Sequence, residues 1–257
     1  MSRPVRLTIL LLALALTAAT TSFSSGETSS RETPSVEASA RAVAQARAGT
    51  DVCAGVTGCS RVASVDVDGD GSADQVGVAS RKLAGGGSIT VRVRTATGHT
   101  LQTTGRDVVW FAKPFHAAAP LDGEPGAEIF VGDTMGANYE QFRVITYREG
   151  RLVTLEAPPA AWTKAGMSQA TPRWGIDGSY SFSSGVVRTV SSQGTVTLTM
   201  KALERNASGT GHSGHVTSYR WHDGAWQNVS ARSVGSASDR TAFASGGWHV
   251  PGVPRFA

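Results

Sequence analysis

Between residues 61 and 231 apolar and polar positions alternate in short runs broken by Gly- and Asp-containing turns, the period of half-buried β-strands. Ile89, Val91 and Val93 alternate with Thr90, Arg92 and Arg94, predicting a strand over 88–94 that the turn at 95–99 returns to a partner. Further strands are predicted over 75–80, 128–132, 141–148, 151–155, 186–190, 195–201, 216–221 and 225–229. Glu149-Gly150 and Asp223-Gly224 are hairpin turns between such runs, and Thr146-Tyr147-Arg148 and Ser218-Tyr219-Arg220 open the two hairpins in the same way. A short amphipathic helix over 35–48 is the one helical expectation, and its apolar face is mostly Ala. The pattern repeats with a period near 55 residues. The expected fold is all-β: an antiparallel β repeat protein of three blade-like units, about 62–119, 120–174 and 175–231, forming a partial propeller or a β-sandwich-like stack.

The ends differ from this middle. Arg3 and Arg6 precede an apolar run over 7–19 that is shorter than a membrane-spanning helix of about 20 residues, the pattern of a signal peptide cut near Ala19. Export to the extracellular space or cell envelope, with no stable membrane span after cleavage, follows. Residues 20–50 are rich in Ser, Thr and Ala and read as a linker. Residues 232–257 are Ser-, Gly- and Ala-rich with two prolines and read as a disordered tail. In an exported chain Cys53 and Cys59 are expected to form a disulfide closing a small loop before the first strand.

Charge narrows the partners. The chain has 24 Lys plus Arg against 20 Asp plus Glu, a net charge of +4. Cleavage at Ala19 would remove Arg3 and Arg6, leaving +2 with no basic block, which argues against a nucleic-acid track or a polybasic membrane patch.

The strongest chemical signal is Asp66-Val67-Asp68-Gly69-Asp70-Gly71-Ser72-Ala73-Asp74. Carboxylates at positions 1, 3 and 5 converge on one hard cation, Gly71 permits the sharp turn, Ser72 offers a backbone carbonyl and Asp74 closes the loop. The twelfth position is Gly77 rather than Glu and the flanks are β-rich, so the loop joins strands and a structural Ca2+ is its expected ligand. In the segment 120–130, Asp122, Glu124 and Glu128 fall in the same frame, but Pro120 and Pro125 replace the first acid and the turn glycine. This second loop is expected to be free of metal. At 175–178 only the Asp177-Gly178 core persists.

Residues 66–74, and more weakly 122–128, resemble the FG-GAP/VCBS-type repeats of integrin α-subunit propellers and many secreted bacterial proteins. The resemblance covers roughly 62–157 and implies blade-like β units whose acidic loop binds calcium structurally. The Phe-Gly pair and the Gly-Ala-Pro triplet of that family are absent, and three units fall short of a closed ring.

Elsewhere Asp133, Asn138 and Tyr139, on a polar loop leaving a strand end, are the candidate ligand contacts. His212 and His215 sit in a Gly- and Ser-rich segment read as an exposed loop. Most aromatic residues, including Tyr219, Trp221 and Trp226, are expected in the core. The chain contains no G-x-S-x-G, H-E-x-x-H or phosphate-loop motif. The functional expectation is an exported, calcium-stabilised, non-catalytic module binding an extracellular protein or cell-envelope polysaccharide. The alternative is a secreted polysaccharide or cell-wall hydrolase using loop carboxylates such as Asp133 and Glu140.

Overall fold

A computed structural model describes residues 51–107, 112–136, 139–159 and 173–256. The expected signal peptide, linker and helix over 35–48, and Asn138, lie outside the described residues. The described residues are antiparallel β apart from one short helix and one parallel strand pair.

Strands β1 (Cys59–Val65), β2 (Asp74–Leu83), β3 (Gly86–Arg94) and β4 (Thr100–Asp107) form a four-stranded meander in sequential order. The alternation read from the sequence holds strictly in β3, where Ile89, Val91 and Val93 are buried between half-exposed neighbours. A second meander comprises β5 (Phe115–Ala119), β6 (Glu128–Met135), β7 (Tyr139–Arg148) and β8 (Arg151–Leu155). A third comprises β10 (Phe182–Val190), β11 (Val196–Arg205), β12 (His212–His222) and β13 (Ala225–Ala237).

The short β9 (Trp174–Gly178) joins the second and third meanders into one ten-stranded sheet, pairing with β7 through 174–177 and with β10 through 177–178. This corrects the expected turn at Asp177-Gly178. Asp177 lies inside a strand opposite both Tyr139 and Ser184, and its carboxylate accepts the Ser179 amide instead of opening a loop.

The second meander is buried on both faces, so its strands read as continuous rather than alternating apolar runs: 128–131 in β6 and 142–146 in β7 are buried without interruption. Ile129, Val131 and Ile145 pack with Val76, Val78, Ile89, Val91 and Val93 of the first meander. Phe130, Phe142 and Val144 pack instead with Val186, Leu198 and Met200 of the third. Two cores therefore share one middle layer.

The carboxy-terminal segment is not a disordered tail, a second correction. Helix α1 (Asp239–Ser245) is N-capped by Ser238, whose hydroxyl accepts the Thr241 amide, and β14 (Gly247–His249) pairs in parallel with β10. Trp248 enters the larger core and makes edge contacts with Phe130 and Phe142 at 5.1 and 5.6 Å between ring centroids. One indole thus outweighs the polar composition around it.

At the other end Cys53 and Cys59 form the expected disulfide. Val52 is fully buried beside it, Val52 N donates to Gln75 Oε1, and Arg92 Nη1 donates to Ala54 O, so the loop is fastened to β2 and β3. Closing so small a loop restricts the unfolded chain by about 2 kcal/mol.

Candidate metal centre and its neighbouring loops

The nine residues from Asp66 fold around their own carboxylates. Asp66 Oδ1 accepts the Gly69 amide at 2.7 Å and Oδ2 the Gly71 amide at 2.9 Å. Asp68 Oδ1 accepts from Asp70 N, and Asp70 Oδ1 from Ser72 N. Asp74, almost fully buried at the start of β2, accepts the Val67 and Asp68 amides on Oδ2 and the Ala96 amide on Oδ1.

This folding brings ligand oxygens of Asp66, Asp68 and Asp74 within 4.8 Å of one another. Asp70 and Ser72 remain exposed and outside that triad. Burial, followed by repulsion from the Asp74, Asp70 and Asp66 carboxylates, raises the Asp68 pKa; its hydrogen bond from Asp70 N opposes the rise. Three hard oxygen donors with excess negative charge form a set that can hold a metal ion.

The second acidic loop lies directly against the first. Ala127 N donates to Asp66 O at 2.8 Å. Gly126, at φ +101°, passes so close that a Cβ there would stand 2.3 Å from Val67 O; only glycine satisfies both the conformation and the contact. The second loop continues the chain of contacts onward, since Leu121 O accepts Arg188 Nε of β10 at 3.2 Å. The metal-type loop is therefore one end of a junction that reaches all three meanders.

The second loop reproduces the architecture of the first with its own cation. Glu128 occupies the frame position of Asp74 and accepts the amide seven residues before it, Leu121 N, as Asp74 accepts Val67 N. Thr146 Oγ1 donates to the other Glu128 oxygen. Where the first loop offers a solvent cation its carboxylates, Asp122 is ion-paired to Arg148, whose guanidinium also stands 3.9 Å from Glu128. This copy therefore carries a cation of its own, the Arg148 guanidinium.

One guanidinium faces two buried carboxylates, and burial with repulsion from Asp122 pushes Glu128 up to about 8 from its ordinary 4.5. Because the folded chain holds this proton more tightly than the unfolded chain, the associated stability is complete below about pH 4.5 and is lost as pH rises through about 8. Glu128→Gln, permanently neutral, is expected to flatten the fall in melting temperature across that window; an unchanged pH profile would refute the assignment.

The remaining candidates separate. Asp133 is buried and ion-paired to Arg173 Nε at 3.2 Å and to Arg143 Nη2 at 3.6 Å, so it is not an exposed contact residue. Tyr139 is half-buried against the larger core, and burial, with the Asp133 and Asp177 charges, pushes its phenol up to about 12. Glu140 lines a mainly apolar pocket of about 400 Å3 with His116, Met135, Phe142 and Phe256, and Asp133 does not share it. The Asp133 carboxylate is thus held by two guanidinium groups and not by the pocket that Glu140 lines.

His212 is fully buried in β12 with Nε2 3.0 Å from Tyr180 O, which corrects its reading as an exposed loop residue. Tyr219 is buried and Trp221 and Trp226 are partly buried against the core, as expected for most aromatic residues. Among the described residues no helix is long and apolar enough to cross a membrane.

Sequence reasoning missed Arg148 and Arg143. Both lie on β7, where their pairing with Asp122 and Asp133 depends on strand packing, and the only signal available was a pair of basic side chains in a strand otherwise bound for the interior. Comparison with protein-family models, with curated proteins and with solved structures finds no match.

Proposed function

We propose that the chain is an exported, non-catalytic binding module of FG-GAP/VCBS type, in which calcium held by Asp66, Asp68 and Asp74 rigidifies the junction between blade-like units. The observation that carries this reading is the position of the carboxylate triad: its loop accepts the Ala127 amide on Asp66 O and so touches the loop that binds Arg188 of the third meander. A cation there would neutralise charge repulsion where three layers meet. Asp70 and the Ser72 carbonyl would complete the ligand set as calcium draws the loop inward.

The partner class is an envelope polysaccharide or extracellular protein. Retention of the purified protein on cell-envelope polysaccharide without release of reducing ends is the expected result. Turnover that Asp133→Asn abolishes would overturn the non-catalytic reading in favour of a hydrolase.

A further inference from the structure

Thr103, Arg106, Arg143, Thr154 and Arg173 line a groove of about 310 Å3 where β4 of the first meander meets β8 of the second. Arg143 reaches it from β7 almost fully buried, its guanidinium packed against Gly105 of β4: a Cβ at Gly105 would stand 1.6 Å from Arg143 Nη1. A glycine at that point of β4 is the condition for the guanidinium to be there at all.

Charge in the groove is unbalanced. Arg143 and Arg173 share the single carboxylate of Asp133, whose Oδ1 is buried without a hydrogen-bond partner. Arg106 is exposed and makes no ion pair among the described residues. Glu156, the other acid at the groove, is exposed at its rim as Arg106 is, so water screens both, and three guanidinium groups face two carboxylates. A guanidinium held in fixed orientation presents a planar fork that matches the two oxygens of a carboxylate or phosphate.

We infer that this groove binds an oxyanion group, carboxylate or phosphate, carried by an anionic extracellular polymer. The inference rests on the binding-module reading but not on the calcium loop. Arg143 and Arg173 supply the preorganised donors, Arg106 the third charge, and Thr103 and Thr154 neutral donors along the wall.

The test measures binding of the purified protein, at low ionic strength, to polygalacturonate, to poly(glycerol phosphate) and to neutral dextran. Binding to one or both charged polymers is expected, at least tenfold weaker for Arg106→Gln and for Arg173→Gln, with the melting temperature of each variant as the check on folding. Preference for polygalacturonate assigns the group as a carboxylate, and preference for poly(glycerol phosphate) as a phosphate. Charged-polymer binding that Arg106→Gln leaves intact, or dextran binding of equal strength, overturns the oxyanion site alone. Binding to none of the three overturns it together with the polysaccharide-binding reading.

Discussion

Trp248→Ala lowers the melting temperature by on the order of 10 °C. The indole is 2% exposed and stands among Phe130, Phe142 and Trp174, with a centroid separation of 5.8 Å to the last. Truncating a buried Trp costs about 3–5 kcal/mol, and in a domain of this size each kcal/mol shifts melting by about 2–4 °C. The loss extends beyond the cavity, because β14 pairs with β10 on the edge that β9 shares and Arg255 donates to Gly246 O across the following turn. Trp248→Phe separates packing from hydrogen bonding. Trp248 Nε1 is buried without a partner, so Phe removes an unsatisfied donor and restores part of what the smaller ring loses. The Phe variant is expected to melt well above the Ala variant. A shift of only a degree or two for Trp248→Ala, measured by calorimetry, would show that the carboxy-terminal segment is peripheral.

Local pattern revealed more of this fold than composition did. The alternation of Ile89, Val91 and Val93 specified β3 and its buried face, because a strand with one neighbour layer must place every second side chain inward. The acidic frame of 66–74 and its echo at 122–128 were legible for the same reason: seven-residue contacts such as Val67 N to Asp74 and Leu121 N to Glu128 close within one loop. What stayed hidden depends on partners far along the chain. Arg148 meets Asp122 across 26 residues, and β14 adds to β10 in parallel, a pairing that leaves no turn residue to announce it. Composition misled at 232–257, where Ser, Gly and Ala fit close backbone packing as readily as disorder. It misled again at His212, since Gly211 stands just before β12 and Gly214 inside it, where their backbones pass close to Ala237 O and Ala202 O rather than forming an open loop. The burial of Asp133 was equally unreadable, because its ion-pair partners arrive from β7 and from Arg173 at the entrance to β9.

If the first loop holds calcium as proposed, calcium in the millimolar range is expected to raise the melting temperature by several degrees, and a chelator to reverse the gain. Extracellular calcium modules bind with dissociation constants of about 10⁻⁴–10⁻³ M, and ligand at roughly ten times that constant stabilises a folded chain by about 1.4 kcal/mol. Asp68 is the residue with which to test this, for a structural reason. Asp66 accepts two loop amides and Asp74 three, so substituting either dismantles the loop with or without metal, whereas Asp68 accepts only the Asp70 amide. In Asp68→Asn the side-chain carbonyl keeps that hydrogen bond while one of the three converging charges is lost. The variant is therefore expected to match the unsubstituted protein in chelator, or to exceed it slightly because carboxylate repulsion is relieved, and to gain little from calcium. Arg148→Met supplies the converse: it strips the internal cation from the second loop, leaving the Asp122 carboxylate buried without its ion-pair partner, so it destabilises the protein in chelator and calcium alike. A melting curve of the unsubstituted protein that ignores both calcium and chelator would remove the metal from the first loop and leave the junction held by hydrogen bonds such as Ala127 N to Asp66 O.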